Sequence, residues 1–139
     1  ARMWKVDQLK STFFKEQRAF SRQSISVDME AQCGRRATWG GPVGLLHPCR
    51  VLDISGGGIL ISCPQEYLLG NRLLITNIPL VEDEPTFSFN CFVRRAGLWK
   101  KGVLRYGCQF EGLSHKEQDR LLRAIFIVQR IEIRKRKAR

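Results

Sequence analysis

The chain reads as short apolar runs at period two, separated by turns, followed by one run at helical period. From Gln23 to Cys33 the apolar residues Ile25, Val27, Met29 and Ala31 alternate with polar ones. Successive side chains of a strand point to opposite faces, so this spacing predicts a first strand with one buried face. Cys49–Ser55 and Gly58–Cys63 predict a second and a third strand joined by a glycine turn, and Pro64 ends the pair. Asn71–Ile78, Thr86–Arg95 and Val103–Phe110 predict three more, the fifth with Phe87, Phe89, Cys91 and Val93 on one face. Gly34–Pro42 is a loop by its glycines and proline, Pro79–Pro85 a second loop, and Gly97–Gly102 a hairpin turn. Six short strands with regular turn signals predict a mainly β fold, a closed or nearly closed antiparallel barrel.

The last part of the chain changes period. Ser114-His115-Lys116-Glu117 is a capping box, in which the serine caps the first turn and the glutamate reaches back. Leu121, Leu122, Ile125 and Phe126 then form an apolar stripe at helical spacing, so a C-terminal helix is predicted over about 114–136. The stripe suits closure of one barrel end, and partner binding is the alternative. In residues 1–17, Trp4, Val6, Leu9, Phe13 and Phe14 stand among polar residues, and helix and extended connector are both open. Trp39 is open in the same way, as a surface contact or a lid over the barrel end.

Length and composition narrow the class. A chain of 139 residues is expected to form one domain with a real core. Net charge is +11, so an acidic partner is the first suspect. Much of the excess lies at the end, in Arg130, Arg134, Lys135, Arg136, Lys137 and Arg139, where cations also suit a helix C-terminus. Five cysteines without a C-x-x-C pair read as reduced, partly buried thiols of a cytoplasmic protein, with no zinc site and no disulfide framework. No apolar run approaches a membrane span, and no signal peptide is visible. The chain begins at Ala1 without an initiator methionine, and the expectation is a piece cut from a longer protein.

Catalysis finds little support. The two histidines are His115, inside the capping box, and His47, before a proline in a loop. No nucleophile elbow, metalloprotease helix motif or phosphate-binding loop appears, and the expectation is a protein that is not an enzyme. The chemistry concentrates instead in Asp53-Ile54-Ser55-Gly56-Gly57-Gly58. At period two, Val51, Asp53 and Ser55 share one face of the second strand while Leu52 and Ile54 take the other. A carboxylate and a hydroxyl then project side by side, followed by glycines that let another group approach the backbone. The plain alternative is a turn in which the aspartate bonds its own backbone.

Upstream, Arg18-Ala19-Phe20-Ser21-Arg22 sets two arginines three residues apart, just before the first strand. Arg-x-x-x-Arg followed by Asp-x-Ser-x-x-Gly resembles the PilZ family, receptors of the bacterial messenger cyclic di-GMP. The resemblance runs from about Gln17 to the C-terminal helix. It implies a six-stranded antiparallel PilZ barrel over about 20–112 within a domain spanning 18–139. It also implies cyclic di-GMP as ligand with no cofactor, held by Arg18, Arg22, Asp53, Ser55 and Gly58, with Gln17 and Ser21 as secondary contacts. The residue types suit that ligand in their own right. Arginine forks pair with phosphate oxygens or guanine O6 and N7, and a carboxylate accepts both donors of guanine's Watson–Crick edge.

Residues 1–17, the barrel and the helix together look like the second domain of YcgR-like flagellar brakes, which implies a connector from a missing N-terminal domain. Motility or exopolysaccharide and biofilm output, with a flagellar motor or other output protein as partner, is implied by the same likeness. The rival classes are a basic β-barrel that binds nucleic acid, which is not expected, and a PilZ docking module that has lost its ligand.

Overall fold

The computed structural model describes residues 24–37, 41–100 and 102–137. Six strands close into an antiparallel barrel: β1 Ser24–Arg36, β2 His47–Ser55, β3 Gly58–Cys63, β4 Arg72–Ile78, β5 Phe87–Lys100 and β6 Val103–Phe110. One helix, α1 His115–Lys137, follows. Around the barrel the order is β1-β2-β3-β6-β5-β4, and β4 pairs back with β1. Closure gives every strand a neighbour on both sides.

The apolar alternation read along the chain is the lining of this barrel. Cys33, Val51, Ile54, Ile61, Leu73, Ile75, Cys91 and Tyr106 are among its fully buried side chains. Three differences from the sequence pattern have their causes in strand pairing. β1 runs through Gly34, Arg35 and Arg36, which were expected in a loop, because this stretch pairs with Arg72–Leu74 and closes the barrel. A side chain at Gly34 would lie 2.8 Å from Val43 Cγ1, so the glycine admits the folded-back loop instead of ending the strand. β5 runs on to Lys100, since Gly97 pairs with Arg105 and Leu98 with Leu104; the expected six-residue turn shrinks to its tip at Gly102, whose φ is 79°. In β1 a register shift between Ser26 and Met29 leaves Val27 and Met29 only half-buried, although both were assigned to the inner face.

Both barrel ends are sealed. At one end the β3–β4 loop is held by Tyr106, whose hydroxyl donates to the Gln65 carbonyl at 2.7 Å and accepts from the Tyr67 amide at 2.9 Å. At the other end lies α1. Ser114 Oγ accepts from the Glu117 amide at 3.2 Å and donates to Glu117 Oε1 at 3.0 Å, a cap in which the glutamate bonds the serine hydroxyl. Leu121, Ala124 and Ile125 are buried in the shared core, whereas Phe126 is 46% exposed, so the buried face is narrower than the predicted stripe. Arg120 lies over the Phe87 ring, 3.8 Å from its centroid, and Arg123 pairs with Glu84 at 3.2 Å, fastening the helix to the β4–β5 loop. Among the described residues no helix is long and apolar enough to cross a membrane.

Because Leu121 is fully buried where the helix meets the barrel, Leu121→Ala is expected to destabilise the domain by about 2–5 kcal/mol. Urea unfolding checks this, and a change below about 1 kcal/mol would show that the helix contributes little to the core.

Candidate functional site

Two bulges shape one outer face of the barrel. On β2 a register shift against β3 falls between Val51 and Asp53. Val51 and Ile54 are both fully buried, while Leu52 and Asp53 between them are half-buried. The sequence pattern put Val51 on the face of Asp53 and Ser55. The inserted residue reverses that for Val51 and Leu52, because shifting a strand by one position exchanges its faces. On β5 a second shift lies between Val93 and Arg95, and Arg94 and Arg95 are both exposed. Between the two bulges runs an open groove of about 1200 Å³, with Asp53 and the glycine turn on one wall and Arg94 and Arg95 on the other.

The turn between β2 and β3 is built by Ser55. Its Oγ accepts from the amides of Gly57 at 3.3 Å and Gly58 at 3.1 Å, and donates to the Gly58 carbonyl at 3.3 Å. The self-bonding role that the plain reading gave to the aspartate therefore falls to the serine. Gly58 opens β3 opposite Gln109 of β6, and the Phe110 amide donates to the Gly57 carbonyl at 3.1 Å. A Cβ on Gly58 would sit 2.3 Å from the Cys108 carbonyl oxygen. The room this glycine leaves is filled by the neighbouring backbone, and its φ is not positive.

Asp53 is placed differently. Its carboxylate makes no hydrogen bond or ion pair with another described residue. Burial without a partner pushes its pKa above the usual carboxylate value. The site thus holds an unpartnered acceptor beside a rigid turn, facing two exposed guanidinium groups across the groove. Neither Arg94 nor Arg95 has a carboxylate partner among the described residues; Arg94 lies 5.8 Å from the centroid of the Phe92 ring.

Of the site residues predicted from sequence, Asp53, Ser55 and Gly58 come together on one wall. Arg18, Arg22, Gln17 and Ser21 lie outside the described residues. The sequence reading missed Arg94 and Gln109 in the groove, together with Leu113 and Gln118 where the chain enters α1. Only Arg94-Arg95 left a trace in the sequence, as two charges in a row where an alternating strand allows one.

A family model described as the PilZ domain matches residues 16–126. The chain belongs to the PilZ family. Solved structures share the PilZ fold. The crystal structure of Escherichia coli YcgR in complex with c-di-GMP superposes with a TM-score of 0.61 at 20% identity, covering 84% of this chain and 49% of that one. The PilZ domain of E. coli YcgR with c-di-GMP gives 0.54 at 19% identity, covering 82% and 94%. Bacillus subtilis inhibitor of motility MotI/DgrA gives 0.56 at 21% identity, covering 78% and 51%. This chain therefore spans about half of the whole YcgR and MotI chains. No curated protein matches it. At these identities the likeness to solved structures is one of fold.

Two outcomes follow from this PilZ groove. Gly58→Ala must force β3 away from the Cys108 carbonyl and is expected to cost at least about 1–3 kcal/mol, read from urea unfolding; a neutral variant would mean that the two strands part freely. The raised pKa of Asp53 makes the folded state hold its proton more tightly than the unfolded chain. Its ionisation therefore costs stability as pH rises through the folded pKa and costs nothing below the unfolded value. Asp53→Asn should raise the urea midpoint at pH 7, and the gain should vanish below about pH 3.9. A loss at pH 7 would mean that the carboxylate has a stabilising partner.

Proposed function

We propose that this PilZ domain is a cyclic di-GMP receptor that acts by binding and conformational change. The observation that carries the reading is a register. Ser24, the first residue of β1, pairs with Ser55 of the Asp-x-Ser-x-x-Gly turn. Arg22 is two residues before Ser24 and Arg18 six before it, at most about 7 Å and 20 Å of chain. Both arginines are therefore tethered within reach of the wall that carries Asp53. The solved structures of E. coli YcgR and K. pneumonia MrkH with c-di-GMP share this fold, which supports the same ligand class here.

The roles follow from the chemistry of each group. Asp53 accepts the N1–H and N2–H donors of a guanine, and ligand binding supplies the partner that its carboxylate lacks. Arg18 and Arg22 give planar forks to phosphate oxygens or to the guanine face, with Gln17 and Ser21 as secondary contacts. Ser55 and Gly58 serve by holding the turn. Ligand then gathers the Arg18–Arg22 segment onto the groove and reorients what precedes it, with residues 1–17 as the connector to another domain. A cytoplasmic receptor with motility or exopolysaccharide output, acting on a flagellar motor or other output protein, is the setting we infer. It is in keeping with the five free thiols and with the motility inhibitor among the similar folds.

Titration calorimetry with cyclic di-GMP tests this. The wild-type domain should bind, and Arg22→Ala or Asp53→Ala should each weaken binding by about tenfold or more, since a charged hydrogen bond contributes about 1.5–3 kcal/mol. Unchanged affinity in both variants removes the site. Binding of generic DNA or RNA with a steep salt dependence, and none of cyclic di-GMP, would favour a nucleic-acid barrel instead.

A further inference from the structure

We propose that Arg95 is a third cationic contact of the ligand, a phosphate clamp at the opposite end of the groove from Asp53. The inference rests on the cyclic di-GMP reading and adds a residue that neither sequence motif contains. It comes from the registers of three strand pairs. Asp53 of β2 stands opposite Leu60 of β3, Leu60 opposite Gly107 of β6, and Gly107 opposite Arg95 of β5. These four residues form one cross-strand row on the outer face, while the neighbouring row, Ile54, Ile59, Cys108 and Val93, is buried.

The row has a carboxylate at one end and a guanidinium at the other. Three inter-strand steps separate β2 from β5, about 14 Å along the sheet. Arg95 shortens that span by lying back over its neighbour: a Cβ on Gly107 would be 3.4 Å from Arg95 Nε and 3.7 Å from Nη2. The fork therefore hangs above β6, about 10 Å from the strand of Asp53. Between them the floor is a half-buried leucine and a residue with no side chain. A flat purine can rest on Leu60 with its donor edge at Asp53, and the phosphate attached beyond it meets the fork.

Charge gives the groove a direction. A phosphate near Asp53 would face a carboxylate at short range, whereas near Arg95 it meets two cations that no described carboxylate neutralises. The base is thus drawn to one end and the phosphate to the other. Arg95 is the clamp, with Arg94 beside it, because Arg94 leans toward the Phe92 ring while the Arg95 fork lies over the groove floor. Gly107 is the companion requirement, since a side chain there would lift the fork away.

The test is titration calorimetry of cyclic di-GMP with wild type, Arg95→Ala, Arg95→Lys and Asp53→Ala at two salt concentrations, with thermal melts to confirm folding. Arg95→Ala should bind about tenfold more weakly than wild type. Arg95→Lys should fall between them, because a point charge replaces a bidentate fork. Affinity should fall less steeply with salt in Arg95→Ala than in wild type, as one ion contact with phosphate is gone. An Arg95→Ala domain within about twofold of wild type, beside an Asp53→Ala domain that has lost binding, overturns the clamp and leaves the receptor reading intact. A tenfold loss with an unchanged salt slope overturns the assignment to phosphate. A wild-type domain that binds no cyclic di-GMP overturns both.

Discussion

A glycine at the head of β3 lets two backbones approach more closely than any side chain permits. The Cys108 carbonyl oxygen occupies the place where a Cβ of Gly58 would be. With β3 drawn in, the Phe110 amide reaches the Gly57 carbonyl, and the turn before it is held from both sides. Ser55 completes the fixing from within by bonding the Gly57 and Gly58 amides. None of these three residues keeps its main polar groups free for a guest. Their effect is to make the wall beside Asp53 rigid, so that the carboxylate stays presented although burial disfavours its charge.

The barrel separates stability from function by its two faces. Inside, the packing is apolar and both ends are covered, one by the loop tied to Tyr106 and the other by α1. The five cysteines belong to this interior and are all buried. Hydrogen bonding to Cys33, with burial added, pushes the thiols of Cys49 and Cys63 up, and the same causes through Cys108 act on Cys91. Cys49, Cys63 and Cys91 behave as small packing groups. Outside, bulges on β2 and β5 turn Asp53, Arg94 and Arg95 toward solvent and make the groove between them. A bulge re-aims side chains without breaking the barrel, which is why such devices gather at binding sites.

This arrangement suits the holding of a ligand. A fixed acid wall, a cationic wall and a bare floor can orient a ligand that carries both donors and phosphates. Ser24, the first residue of β1, pairs with Ser55 of the turn.

Local pattern in the chain was enough for the strand count, the third and sixth strands to the residue, and the helix to within one residue at each end. Periods of two and of about 3.6 follow from local backbone geometry and survive without knowledge of the partner strands. That Val51 turns inward, that β1 and β5 outrun their expected ends, and that Gly58 yields to a carbonyl of β6 is set by how the strands meet. Each depends on pairing between strands: a bulge is defined only against its partner, and a strand continues only where pairing is available. The row from Asp53 to Arg95 is of the same kind, since it joins residues 42 positions apart in the sequence through three registers that no local pattern encodes.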